Sequence, residues 1–384
     1  NMHVPQGGYQ SGGNGTELWT DKSDRDRLTA LWKAIAKRYA NEPMIIGYGL
    51  VNEPNIPMQK TVEKTFEQYD SLMNRMAKEI RKVSPYQVIF IEGINGVVKE
   101  NGERVYDLFT PENCFAEIED SNIVYEFHKY DSFFFTHQNT EWAGTLGRTM
   151  TYPSEEVVGE NIKNVWVDCV SAKKMAEGQN GWTYFESGFA SLSSKANIVQ
   201  PAFSASYLGE NGTAYLDDIV FTEISPSGQR RVLFSADFTD GTLSSSAWSS
   251  DGSGKSEFCA DDGYKKKGCL KISGSTAMYV QNFRRYEMKK GYKYTVSGYI
   301  KSDISTPEIR MDLSLSDDVY SFNKDFLESG IKRYVDFSEK KNAPLYLGEF
   351  GVISEGFEQG RNGIGWVRDM ISLCEKYDIG FDYH

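Results

Sequence analysis

The chain has 384 residues, 40% of them hydrophobic, with a formal net charge of −12 and a pI near 5.0. That length supports a large core and two or three domains, and the acidic balance excludes the basic footprint of a nucleic-acid binder. No stretch reaches the roughly 20 apolar residues that a membrane-crossing helix needs.

The opening Met2-His3-Val4-Pro5 reads as the end of a strand whose start lies before Asn1, so the chain is expected to be a fragment of a longer protein. From Ser23, Leu28, Leu31, Trp32, Ile35 and Tyr39 recur at helical spacing, with Ser23 as N-cap. The apolar run Ile45 to Val51 follows and ends abruptly in Asn52-Glu53-Pro54. A second helical stripe, Phe66, Tyr69, Met73, Met76 and Ile80, precedes the strand Gln87 to Gly93, which carries Glu92 near its end. The strand Asn122 to Tyr130 contains His128. Strands that are nearly continuous in apolar residues, alternating with amphipathic helices, describe a parallel sheet covered by helices.

Between residues 154 and 318 the rhythm changes to short period-2 runs such as Tyr292, Tyr294, Val296, Ile300, then Ile309, Met311, Leu313, Leu315. Clusters of Gly, Ser, Asp and Asn separate these runs, which is the pattern of an antiparallel β-sandwich. Thr213 to Phe221 looks like the last strand of a carbohydrate-binding jelly roll. Phe234 to Asp240 and Trp248 look like the start of one, an order that is circularly permuted. Trp166 and Trp182 are expected in its core, and Asp217 and Asp218 are candidates for a structural calcium site. Cys259 and Cys269, across a turn-like segment, are placed either for a local disulfide or as free thiols, while Cys114, Cys169 and Cys374 read as core thiols.

The alternation then resumes. A helix bearing Phe326, Leu327, Ile331, Tyr334 and Val335 leads to the strand Pro344 to Gly351, which ends in Glu349, and a helix bearing Trp366, Met370 and Cys374 leads to Ile379 to His384. The expected architecture is therefore an incomplete (β/α)8 TIM barrel, residues 1–153 and 319–384, with residues 154–318 inserted as a jelly-roll-like antiparallel sandwich. Six barrel strands can be counted, including the tips at His3 and His384, against the eight of a closed barrel.

Glu53 and Glu349 each terminate an apolar strand, where such a barrel builds its active site. Two carboxyls facing one another are the equipment for cleaving a glycosidic bond, one as acid and one as nucleophile or base. Three of the four histidines, His3, His128 and His384, also fall at strand tips. Trp19 and Trp142 lie in loops expected at the rim and read either as platforms for sugar rings or as locally packed side chains, as does Tyr9. Glu92 is a rim residue without an assigned role. The chain has neither His-x-His nor His-Glu-x-x-His, so a metal-dependent hydrolase is the weaker reading.

Asn52-Glu53-Pro54, His128-x-Tyr130, Leu347-Gly348-Glu349-Phe350-Gly351 and Met2 to Tyr9, in that arrangement, resemble glycoside hydrolase family 5, the retaining cellulase family. Phe135-Thr136-His137-Gln138 and Trp142 resemble that family's sixth loop. The resemblance covers residues 1–153 and 319–384. It implies that Glu53 is the acid/base, that Glu349 is the nucleophile, that Asn52 binds the sugar 2-hydroxyl, and that His3, His128 and Tyr130 orient the carboxylates. The family's second-strand arginine has no counterpart here, and Tyr383 or His384 stands where its eighth-strand tryptophan belongs. The expected activity is that of an endo-β-1,4-glucanase acting without a cofactor on a β-linked polysaccharide or oligosaccharide, in a secreted or cell-surface protein. A β-mannanase or other β-glucanase, or a non-catalytic carbohydrate-binding protein, are the alternatives.

Overall fold

The computed structural model of the protein describes residues 1–8, 15–106, 108–146, 148–158, 165–177, 181–206, 213–239, 248–251, 255–273, 277–282, 284–302, 308–316 and 319–384. Tyr9 and the side chains of Trp166 and Trp248 lie outside the described residues. The chain forms two compact units. One comprises Asn1–Lys129, Glu328–Gly351 and Asp369–His384, and the other Tyr130–Leu327 and Val352–Arg368.

The first unit is built on five parallel strands in the order Gly47–Gly49, Val88–Glu92, Ile123–His128, Leu345–Phe350 and Gly380–Tyr383. Each spatial neighbour is the next of these strands along the chain, as in part of a (β/α)8 barrel. The segment Asn1–Pro5, expected to close a strand, has no strand conformation; it is tied to the sheet instead by the Asn52 amide, which donates to the Met2 carbonyl at 3.0 Å. The sheet therefore has five strands rather than six.

The helix Lys22–Tyr39 is capped by Asp21, whose carboxylate accepts the Ser23 N–H at 2.7 Å, so the cap lies two residues before the expected Ser23. Either side chain supplies the acceptor an N-terminal turn lacks, and the carboxylate adds a favourable charge. Leu28, Trp32 and Ala36 are buried on its inner face, and Leu31 is exposed. Trp32 donates its indole N–H to the Leu50 carbonyl at 2.9 Å, fixing the chain just beyond the first strand. The helix Val62–Arg81, capped by Thr61, buries Tyr69, Met73, Met76 and Ile80 as the periodicity requires. Each such side chain contributes ~1.5–3 kcal/mol of burial.

The second unit contains twelve mutually hydrogen-bonded strands, from Val165–Glu177 to Glu308–Leu315, and every pairing among them is antiparallel. The strand Thr213–Ile224 lies between Lys293–Ser302 and Cys269–Ser273. Alternate residues point into a core that includes Leu216, Phe221, Tyr294, Val296, Ile300 and Met311. Trp182 is buried as expected. Cys259 and Cys269 face each other in register across two strands as free thiols. Asp217 is nearly buried, and its two carboxyl oxygens accept the backbone N–H groups of Asp218 and Tyr264.

Gly47 starts the first barrel strand with no space for a side chain, because a Cβ there would stand 2.3 Å from the Val88 carbonyl oxygen. The obstacle is backbone of the paired strand, so the strands must part. Gly47→Ala is expected to cost ~1–3 kcal/mol of stability, read as a fall in urea midpoint; an unchanged midpoint would contradict this packing.

Candidate active site

The tip of the first strand is shaped by an unusual backbone. Glu53 adopts φ +41°, a conformation that costs a non-glycine residue ~1–3 kcal/mol. Two hydrogen bonds hold it there: Asn55 Nδ2 donates to the Glu53 carbonyl at 2.8 Å, and the Glu53 N–H donates to the carboxyl of Glu92. The turn aims the Glu53 side chain toward the sheet axis.

The fourth strand delivers Glu349. Its register shifts between Leu347 and Glu349 against the neighbouring strand, so that Glu349 pairs with His128. Gly348 sits at the shift, where a Cβ would lie 2.1 Å from Glu126 Oε1. Glycine there leaves room for the Glu126 carboxyl. The amide of Lys129 donates to the Glu349 carbonyl at 3.0 Å and locks the two tips together.

Between the carboxyls stands His128. Its Nδ1 lies 3.1 Å from Glu53 Oε1, 3.4 Å from Glu349 Oε2 and 3.5 Å from Glu92 Oε1. Oxygens of Glu53 and Glu349 approach within 4.8 Å of each other. A retaining glycosidase holds its two carboxyl groups about 5–5.5 Å apart, whereas an inverting one keeps them about 6.5–9.5 Å apart. His3 reaches the far side of Glu349, with its Nε2 3.9 Å from Oε1. Asn52 is buried next to Glu53 and accepts a hydrogen bond from Asn1 Nδ2 at 3.1 Å. A cleft opens beside Glu53 and His128 and is lined further by Glu92, Asn95, Tyr106 and Phe109.

Behind this pair lie two more acids. Glu92 and Glu126 are register partners on adjacent parallel strands, and each is only 5% exposed. Burial, reinforced for Glu92 by the Glu126 charge, raises both carboxyls above the ordinary range, Glu92 far above it. Sequence reading left Glu92 without a role and passed over Glu126. The signal was available in the period of two that places Glu126 on the same strand face as His128. Among the described residues, two donor sets are close enough to hold a metal ion: His128 with Glu53 and Glu349, and His128 with Glu92 and Glu126.

Of the other residues singled out from the sequence, His384 is exposed at the end of the fifth strand, its amide donating to the Phe350 carbonyl at 3.0 Å. Tyr130 and Trp142 belong to the second unit. There both rings pack edge-on against His137, at 5.1 and 5.2 Å between centroids, and Trp142 is 72% exposed. Trp19, read from the sequence as either a sugar platform on a rim loop or a locally packed side chain, is a core residue at 3% exposure. Its ring packs at 6.2 Å from that of Tyr69, and its N–H donates to the Asn55 carbonyl at 2.8 Å. The short helix Glu17–Thr20 turns it inward together with Leu18, and a single helical turn leaves no periodic stripe in the sequence to signal this.

Residues 1–187, nearly half of the chain, match the family described as Cellulase (glycosyl hydrolase family 5). Endoglucanase C of Acetivibrio thermocellus is 32% identical over 166 residues, which are 42% of this chain and 43% of that protein. Cellodextrinase A of Ruminococcus flavefaciens is 24% identical over 156 residues, 40% of this chain and 42% of that protein. The chain thus spans less than half the length of these relatives. Among solved structures, Thermotoga maritima Cel5A in complex with cellobiose covers 96% of this chain and 61% of its own, at 14% identity and a TM-score of 0.40, a likeness too loose to bear on the fold.

The correction at Trp19 separates packing from substrate binding. Trp19→Ala is expected to cost ~3–5 kcal/mol of stability while leaving the KM of any remaining folded enzyme within about twofold. A raised KM at unchanged stability would restore the platform reading.

Proposed function

We propose that this chain, whose residues 1–187 match the glycosyl hydrolase family 5 cellulase family, works as a retaining β-glycan hydrolase, most specifically an endo-β-1,4-glucanase. The observation that carries the proposal is the approach of Glu53 and Glu349 to within 4.8 Å across His128.

In this reading Glu349 is the nucleophile. Two imidazoles flank it, with His3 Nε2 3.9 Å from Oε1 and His128 Nδ1 3.4 Å from Oε2. Glu53 is the acid/base. In the first step Glu53 gives its proton to the glycosidic oxygen as that oxygen leaves, while a Glu349 oxygen bonds to the anomeric carbon. In the second, Glu53, now a carboxylate, takes a proton from water, and that water displaces Glu349. The pair bears one negative charge before and after the first step, so His128 meets no net change of charge. Asn52, beside Glu53, is assigned to the sugar 2-hydroxyl, where a bond that tightens in the transition state lowers the barrier. Tyr130, His384 and the exposed Trp142 are assigned to substrate contacts.

The assignment extends to organisation. Residues 1–153 and 319–384 form the catalytic barrel, and residues 154–318 an inserted β-sandwich resembling a carbohydrate-binding module; the antiparallel pairing and buried alternation of the second unit support this. A polymeric substrate does not cross a membrane, which favours a secreted or cell-surface protein. Among the described residues no helix is long and apolar enough to span one.

Two variants of the full-length protein, assayed on soluble β-glucans and mannans by reducing-sugar release, test the roles. Glu349→Gln is expected to lower kcat by ~10³-fold or more. Glu53→Ala is expected to abolish polysaccharide hydrolysis yet retain glycosylation by aryl glycosides whose leaving group needs no proton. Near-normal turnover by Glu349→Gln, or equal loss on both substrate types for Glu53→Ala, would refute the assignment, and the best polymer on the panel identifies the substrate.

A further inference from the structure

We propose that Glu92 is a third functional carboxyl of this site, a positioning residue that remains protonated and holds both His128 and the turn at Glu53, so that Glu53 and Glu349 carry a single negative charge between them. The proposal rests on the reading of those two residues as acid/base and nucleophile. It adds a residue to which that chemistry gives no part.

Three observations carry it. First, Glu92 touches both halves of the catalytic arrangement. Its carboxyl accepts the N–H of Glu53, the residue held at φ +41°, and its Oε1 lies 3.5 Å from His128 Nδ1. Second, its surroundings are those of a neutral acid. Glu92 is 5% exposed, its Oε2 is buried without a hydrogen-bond partner, and its neighbour in register is another buried carboxyl, Glu126. An unpaired buried anion costs far more than a neutral acid in the same place. The groups facing it are Glu53 from the first strand tip, Glu126 and His128 from the third, Glu349 from the fourth, Cys114 from the loop beyond its own strand, and Tyr69 from the helix Val62–Arg81. No lysine or arginine is among them. Burial, reinforced by the Glu126 charge, pushes its carboxyl far up, against the N–H of Glu53, which favours the anion.

Third, added protons relieve the crowding of carboxyls at His128. One Nδ1 has three carboxyl oxygens within 3.5 Å, and its single N–H serves one of them. With Glu53 and Glu92 both protonated in the free enzyme, Glu349 alone is ionised at this nitrogen. When Glu53 passes its proton to the leaving oxygen, Glu349 becomes an ester. The charge at His128 then moves from one strand tip to the other without increasing, because Glu92 stays neutral throughout.

The test compares Glu92→Gln and Glu92→Ala in the full-length protein. Glutamine copies the shape and hydrogen-bonding capacity of the protonated acid. Alanine removes the support from Glu53 and His128. The expected result is that alanine lowers kcat about tenfold or more with KM little changed, and that glutamine restores kcat to within about twofold with both limbs of the pH profile in place. A tenfold loss in Glu92→Gln, or a limb moved by about a pH unit, would show that Glu92 works as an anion and overturn the proposal. So would full activity in Glu92→Ala.

A second readout is independent of turnover. The native state keeps a proton on Glu92 that the unfolded chain releases above the ordinary carboxylate range, so this group withdraws stability from the wild type as pH rises through that range. Glutamine has no proton to lose. The Tm advantage of Glu92→Gln over wild type is therefore expected to grow between about pH 4 and about pH 7. A gap that stays constant or reverses would overturn the proposal even if no glycan were found to be cleaved. Absence of turnover in the wild type, with a widening Tm gap, would instead sink the proposed function and leave Glu92 protonated.

Discussion

One imidazole nitrogen organises this site. His128 Nδ1 has oxygens of Glu53, Glu92 and Glu349 within 3.5 Å, and these carboxyls come from three different strand tips of one parallel sheet. Adjacent parallel strands lie about 4.8 Å apart. A residue at a strand end, its register partner and the next strand's tip are therefore held at the spacing a double displacement needs, provided the registers agree. They agree here because Glu349 pairs with His128, and Glu92 with Glu126 two residues earlier on the same strand.

Small backbone devices bring that agreement about. The shift at Gly348 turns Glu349 toward His128, and the missing side chain gives the Glu126 carboxyl its place. Glu53 is held in the left-handed region by Asn55 from one side and Glu92 from the other. Such strain persists only where the surroundings over-determine it, and here they are two hydrogen bonds and the buried Asn52 just before the turn. The acidic cluster carries a cost in burial. The protein meets it by raising proton affinity at Glu92 and Glu126. The paired carboxyls at the strand tips and the raised proton affinity of the acids beneath them are thus two consequences of the same buried arrangement.

Much of this was legible in the sequence. Apolar strands broken by Glu53 and Glu349, with helical stripes between them, located the strand tips, and the period-2 runs after residue 154 gave antiparallel pairing. The resemblance carried by Asn52-Glu53-Pro54 and Leu347-Gly348-Glu349 implied the roles proposed for the two glutamates. What stayed hidden depends on three-dimensional register. Glu92 and Glu126 are ordinary acids in the sequence and become neighbours only when two strands align. Trp19 looked like a loop aromatic because the four-residue helix that buries it has no amphipathic repeat to announce it. The strand expected at His3 failed because a few residues of apolar character do not require pairing, whereas the side chain still reaches Glu349.

The central claim is that Glu349 attacks the anomeric carbon while Glu53 protonates the leaving group. The most direct measurement is to trap the covalent intermediate with a 2-deoxy-2-fluoro β-glycoside bearing a good leaving group, then to digest the full-length protein and map the modified residue by mass spectrometry. The account predicts one equivalent of sugar in ester linkage on Glu349, released slowly as the enzyme recovers. A label on any other residue, or turnover of natural glycan that first yields the inverted anomer, would contradict it.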